Sequence, residues 1–260
     1  VLGQLACDTC AVRHRALCGV LQPDELQRIN QIAFRKTFAP NELILSDREA
    51  PDFFGNIISG VVKLSKVIPD GRQQIVGLQF ASDFIGRPFA ARNPFFAEAA
   101  STVEICCFRK KPFEDLVRDI PDLEHRLFQH TLDELDAARE WMVLLGRKSA
   151  EERIASFLVM VVQRATLIGC GSHIQHPGIG VGAVNIDLPL TRAEIADYLG
   201  LTIETVSRQF TRLKQRGVIL LKSGRQISIP DYDTLMDVAG DDVAFAAEQR
   251  REAEAQANVS

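Results

Sequence analysis

Cys7, Cys10 and Cys18 crowd the amino end of a 260-residue chain that has only six cysteines, with Arg13, His14 and Arg15 between the second and the third. A chain of this length can bury a core without staples, and in a reducing compartment clustered thiols more often bind metal or do redox chemistry than form bridges. A second chemically capable group lies toward the other end. Glu204, Ser207 and Arg208 are spaced to share one face of a helix. Their types suit the base edges of a major groove: Arg forks onto guanine O6 and N7, Glu accepts from cytosine N4, and Ser serves either way. The plainer alternative is a solvated face with a Glu204 to Arg208 ion pair.

The elements that must carry this second group are legible around it. In "LTRAEIADYLGLTIETVSRQFTRLKQRG", residues 190–217, Thr191 and Glu194 form a capping box that starts a helix with Ile195, Ala196 and Leu199 on its inner face. Gly200 breaks it. A second helix follows from about Thr202 with Val206, Phe210 and Leu213 turned inward, which is the spacing of a helix-turn-helix, and Arg212 joins the outward set. After it, "VILLKSGRQISIP" predicts two strands around a Ser223-Gly224-Arg225 turn, a wing that sets Lys222 and Arg225 against phosphates. The net charge of −4 conceals this module. Residues 191–230 hold seven Lys or Arg against three acidic residues, the balance of a double-stranded DNA binder.

From about Phe34 to Phe108 short apolar and β-branched runs alternate with turn signals, and Pro69-Asp70-Gly71 marks a hairpin, so a β-barrel or roll is expected. The period then changes. Over Pro121 to Gly146, Leu127, Leu135, Ala138, Met142 and Leu145 recur at helical spacing, with Thr131 filling the missing step. So narrow a stripe on so long a helix predicts a homodimer seam; packing on the β domain is the alternative. A further helix is expected over roughly 149–166. The glycine-rich "GCGSHIQHPGIGVGAV" lacks the Gly-Lys-Ser/Thr ending of a phosphate loop and reads as a connection. His125 and His130, off the seam, and His173 and His176, in that connection, read as solvated. No apolar run approaches a membrane span, and the stretch at 1–6 is too short for a secretory signal, so the expected location is the cytoplasm.

A β-roll, a long helix and a winged helix-turn-helix, in that order, resemble the CRP/FNR superfamily of bacterial transcription regulators over nearly the whole chain. The resemblance implies an α+β fold. Its parts would be a cysteine-rich segment over 1–21, a cyclic-nucleotide-binding-like β-roll over 22–120, a dimerisation helix over 121–147, a DNA-binding domain over 148–240 and a tail over 241–260. Cyclic-nucleotide members carry a Gly-Glu turn and an Arg-Ser-Ala cassette, whereas this chain has "DFIGRPFAARNPFFAEAAST" with Arg87 in place of the ribose-binding Glu. Cyclic nucleotide is therefore not an expected ligand. The amino-terminal cysteines and "TIETVSR" are similar to FNR, the oxygen-responsive branch. "RKPFEDL", "TLDELDAAREWM" and "LGRK" resemble the FnrL-type regulators of alphaproteobacteria.

That resemblance implies a [4Fe-4S] cluster on Cys7, Cys10, Cys18 and Cys106, a homodimer on inverted TTGAT-type half-sites, and RNA polymerase as partner. Cys107 faces the opposite side from Cys106 if the segment is a strand, and Cys170 is expected to be unligated. Four soft thiolates suit a [4Fe-4S] cluster, and Arg13, His14 and Arg15 would offset its charge. Zinc accepts the same thiolates, although structural zinc ribbons supply them as two close pairs; simple thiol redox sensing stands as a third reading. The rival from another class is an iron-sulfur electron carrier or redox enzyme, for which no nucleophile–base arrangement or cofactor fingerprint is present. A regulator of the same family that does not sense oxygen is the nearer rival.

Overall fold

A computed structural model of the chain describes residues 7–167, 183–222 and 225–240. Two compact units divide between Trp141 and Met142, inside a helix that the sequence presents as one element.

In the first unit, two short 3-10 turns, Cys7–Thr9 and Leu17–Val20, lead into α1 (Pro23–Ile32). Helix α1 starts with proline in its first turn and a capping box of Gln22 and Glu25. Eight strands follow: β1 (Ala33–Phe38), β2 (Leu43–Leu45), β3 (Phe53–Ser59), β4 (Val62–Val67), β5 (Gln73–Gln79), β6 (Phe84–Ile85), β7 (Phe96–Ala99) and β8 (Val103–Arg109). They form two antiparallel four-stranded sheets, ordered β1-β8-β3-β6 and β2-β7-β4-β5. The Pro69-Asp70-Gly71 turn joins β4 to β5, closed by hydrogen bonds between Ile68 and Arg72 and between Gly71 and Ile68, with Gly71 at φ +87°.

Period-two alternation gives each face of the first sheet its own core. Ile57, Ile105 and Cys107 point into the roll among Phe38, Val62 and Ile85. On the other face Phe54 and Phe108 join Phe84 and Phe113 in an aromatic core covered by α1, by α2 (Lys110–Asp119) and by the first turns of α3 (Pro121–Arg147). The Phe108 and Phe113 rings stack 5.1 Å apart. All four rings are almost fully buried, each worth about 1.5–3 kcal/mol of apolar transfer, which makes this face a rigid floor.

The second unit contains the last turns of α3, then α4 (Ala150–Leu167), β9 (Val184–Asp187), α5 (Arg192–Leu199), α6 (Ile203–Gln215), β10 (Leu220–Leu221), β11 (Gln226–Ile229) and α7 (Tyr232–Ala239). The wing has three strands in the order β10-β11-β9, one more than the sequence suggested, because Val184–Asp187 pairs with β11. Ser223 and Gly224 of the expected turn lie outside the described residues, as do Cys170, His173 and His176 of the glycine-rich stretch and the tail over 241–260. No helix among the described residues is long and apolar enough to cross a membrane.

The seam on α3 needs one correction. Leu127 packs against the aromatic core beneath it and is not on the stripe. One residue further round the helix, Phe128 is 58% exposed, and with Leu135 and Met142, also exposed, it makes a seven-residue repeat. Thr131, Ala138 and Leu145 supply the alternate positions. A sustained 3.5-residue repeat of this kind is the pattern of a left-handed helix pair. His130 also differs from expectation: its Nε2 accepts from the Phe84 backbone N–H at 3.3 Å, and the ring meets Phe84 edge-on.

Candidate cysteine site and nucleic-acid interface

The aromatic core is the floor on which Cys7, Cys18 and Cys106 pack. Val12, Ala16, Leu17 and Leu21 are buried and anchor the amino-terminal loop, while Cys7 and Cys18 pack on the same core as Cys106. Successive hydrogen bonds, Cys10 N–H to Cys7, Arg13 N–H to Cys10 and Leu21 N–H to Cys18, fold the loop back on itself. Arg126 of α3 donates to the Arg15 carbonyl at 3.0 Å. The loop is therefore tied to the long helix by its backbone as well as by apolar contact.

Strand alternation separates the neighbouring thiols. Cys106 shares the pocket face with Phe108, whereas Cys107 is buried in the roll. None of Cys7, Cys10, Cys18, Cys106 or Cys107 is in a disulfide. Burial raises the Cys18 thiol well above its usual range, and the nearby Cys106, Cys7 and Cys10 raise it further, in that order. Cys106 is pushed up to about 12, chiefly by burial and then by Cys7 and Cys10, with Arg35 opposing. Ionising either Cys18 or Cys106 is thus opposed by the neighbouring sulfurs as well as by burial. Among the described residues no three Cys, His, Asp or Glu side chains close on a point that would hold a single metal ion.

Asn56, which sequence reading passed over, is 2% exposed on the pocket face of β3, opposite Cys106 in register. Its side-chain N–H donates to Cys18 Sγ at 3.4 Å, while its Oδ1 is buried without a hydrogen bond. Burying an amide is costly unless it is hydrogen-bonded, and sulfur is its recorded acceptor. Within "FFGNIISG" the one amide side chain, set between apolar residues, is the available signal.

The helix-turn-helix is built by local chemistry. Thr191 Oγ1 accepts from the Glu194 N–H, and Glu194 reaches back to the Thr191 N–H at 2.8 Å. Helix α5 ends at Gly200 in the left-handed region, φ +61°, and Thr202 caps α6 through the Thr205 N–H. Arg153 of α4 grips this turn: its guanidinium donates to the carbonyls of Leu145, Lys148 and Leu199. Val206, Phe210 and Leu213 face inward. Glu204, Ser207 and Arg208 are exposed together, and Arg208 leans on Thr205 Oγ1 at 3.4 Å instead of on Glu204. The Glu204 carboxyl is lowered by its own backbone N–H and by Thr202, so it is an acceptor at neutral pH.

The flanking cations are placed differently from a row of free phosphate contacts. Arg212 lies 3.5 Å from Glu151 of α4. Lys222 donates to Asn185 Oδ1 at 2.6 Å, and Arg225 donates to the Pro189 carbonyl at 3.2 Å, so both wing residues brace the β9 segment.

An exposed reading face on a capped second helix, with a wing beside it, is the architecture of a DNA-binding transcription regulator. Residues 152–238 match the Crp-like helix-turn-helix domain and residues 35–119 the cyclic nucleotide-binding domain. A probable transcriptional activator of Rhizobium leguminosarum bv. viciae is 46% identical over 89% of this chain and 92% of its own. The transcriptional activator protein FnrL of Cereibacter sphaeroides is 42% identical over 91% and 92%. The structure of FixK2 from Bradyrhizobium japonicum superposes with a TM-score of 0.69 at 28% identity, covering 80% of this chain and 97% of that one. The chain belongs to the CRP/FNR family and is a DNA-binding transcriptional activator of the FNR and FixK type, not an enzyme.

Proposed function

We propose that this activator responds to oxygen through a [4Fe-4S] cluster held by Cys7, Cys10, Cys18 and Cys106, and that it binds inverted TTGAT-type half-sites as a homodimer that engages RNA polymerase. The observation that carries the reading is that Cys7 and Cys18 of the amino-terminal loop pack on the same buried aromatic floor as Cys106 of β8, with Cys10 in the same loop. The donor set fits: all four are soft sulfur ligands, and beside Cys106 the charge of Arg35 is largely offset by its 2.9 Å ion pair with Glu104. When bound, the cluster supplies an oxygen-labile redox centre. The chain's own residues supply the transmission. Cys7, Cys10 and Cys18 hold the loop down, Arg126 and Leu127 fasten α3 to it, and the next residue, Phe128, opens the seam. Release of the loop loosens the first turns of α3 and the seam they present. The shift in dimer population equals the preference of the ligated loop for the seated state.

The test is an anaerobic absorption spectrum of the full chain, with sedimentation, repeated after brief exposure to air. Visible iron-sulfur absorbance and a dimer, both lost in air, are expected. Replacing Cys7, Cys10, Cys18 or Cys106 individually with Ser removes the absorbance, while Cys107→Ser spares it. Full iron and sulfide in the Cys106→Ser protein would overturn the ligand assignment, and a colourless anaerobic protein that still binds its site would leave a regulator without the cluster.

A further inference from the structure

The cation pair on the flank of the reading helix has a partner that the DNA-binding role does not explain. Glu151, in the first turn of α4, has a side chain only 15% exposed, and it accepts from Arg216 at 2.5 Å through Oε1 while its Oε2 lies 3.5 Å from Arg212 Nε. Arg212, in the last turn of α6, and Arg216, which caps its end, are four residues apart and so lie one above the other. At about 100° per residue, Arg212 sits at the edge of the face formed by Glu204, Ser207 and Arg208. Beyond Arg216 the surface stays acidic: a shallow cleft is lined by Glu151, Glu152, Thr234 and Asp237 as well as by Arg216. Ser149 and Glu152 form a reciprocal cap at the start of α4, which fixes the turn that carries Glu151.

We infer that Glu151 is a positioning residue for the DNA interface, an internal stand-in for phosphate that holds Arg212 and Arg216 away from the DNA backbone and so limits sequence-independent adhesion. Non-specific binding is built from phosphate contacts alone, and each one adds about 0.9 to the steepness with which affinity falls with salt. Two arginines held by one protein carboxylate, whose single charge offsets one of theirs, make fewer contacts to phosphate and release fewer counterions on binding DNA. The electrostatic hold of the unit is then smaller than its count of Lys and Arg suggests, and discrimination falls more heavily on Glu204, Ser207 and Arg208. The inference rests on the reading of α6 as the helix that enters the groove.

The experiment is a salt titration of the full chain, prepared anaerobically, on a duplex carrying TTGAT-type half-sites and on one with the half-sites scrambled. The unaltered protein tests the reading itself: equal affinity for the two duplexes refutes α6 as a sequence reader before any variant is made. Glu151→Gln keeps the shape and removes the charge. It should bind the scrambled duplex more tightly at low salt, with a slope steeper by about 0.9 for each arginine released. With both released, its affinity falls about tenfold further than that of the unaltered chain between 50 and 200 mM salt. An unchanged or shallower slope in a protein with normal thermal unfolding overturns the inference. Arg212→Gln in the otherwise unaltered chain provides a check that leaves α4 intact. A slope reduced by a full contact makes Arg212 a standing phosphate ligand and refutes the role of Glu151; a slope nearly unmoved supports it.

Discussion

Gly55 lies on β3 in register with Cys107, and a Cβ added there would meet the Ile105 Cγ2 at 2.5 Å and the Cys106 carbonyl oxygen at 2.6 Å. Ordinary contact begins near 3.4 Å, so Gly55→Ala requires β8 to retreat by about 0.8 Å, an overpacking that costs about 1–3 kcal/mol. Ile105 is fully buried and the other neighbour is backbone, so neither can swing aside. The chain-entropy gain of a Gly→Ala change, about 0.4–1 kcal/mol, offsets only part of this. For a unit of this size each kcal/mol lowers the midpoint by about 2–4 °C. The strand that must move carries Cys106 toward the pocket, so the variant should unfold a few degrees earlier and also take up less iron on anaerobic reconstitution. Gly77→Ala is the matched control on the same roll, because its nearest neighbour is Leu64 Cδ1 at an ordinary 3.5 Å. Calorimetry of the cluster-free proteins and iron and sulfide assays after reconstitution give the two readouts. A Gly55→Ala protein matching Gly77→Ala in both would show that β8 yields freely and that Cys106 is not held in place by this contact.

Leu135→Glu sets a charge against its symmetry mate on the seam and should give a monomer by anaerobic sedimentation, whereas Leu127→Ala, at a half-buried position against the aromatic core, should cost about 2 kcal/mol of stability, the low end for a buried leucine. Arg208→Ala should cost about 1–3 kcal/mol per half-site at the guanine it reads and flatten discrimination there, measured on the TTGAT duplex and on one with that guanine replaced; equal weakening on both would make Arg208 a backbone contact. Thr191→Ala removes the cap of α5 and should destabilise the helix-turn-helix by about 0.5–2 kcal/mol, visible as an earlier unfolding transition with the visible absorbance untouched.

What could be read in advance was whatever is decided within a few residues. The Thr191 and Glu194 cap, the break at Gly200 and the Pro69-Asp70-Gly71 turn each depend on neighbours in sequence, and all three form as their types require. The α3 stripe was harder. Leu127 and Phe128 are adjacent and both apolar, and which one faces a partner depends on where the aromatic core lies, a fact supplied by α1, α2 and β8 together. His130 looks solvated in the sequence for the same reason: its acceptor role exists only because β6 brings the Phe84 N–H to it. The β9 strand escaped notice because four residues after a glycine-rich stretch carry little pattern of their own until β11 pairs with them. The partners of Arg212 and Arg225 are tertiary and left no trace in the spacing.

The tie between Arg126 and the amino-terminal loop ends on a carbonyl, that of Arg15, and a carbonyl is common to every residue type. The long helix therefore senses the path of the loop and is indifferent to the side chain at position 15. Substitutions there leave the link standing, while an insertion or deletion between Cys10 and Cys18 moves a different carbonyl into Arg126's reach or none at all. In engineering terms the loop is a keyed part whose length is its key: this link does not depend on which side chain stands at position 15, but trimming the loop uncouples the helix.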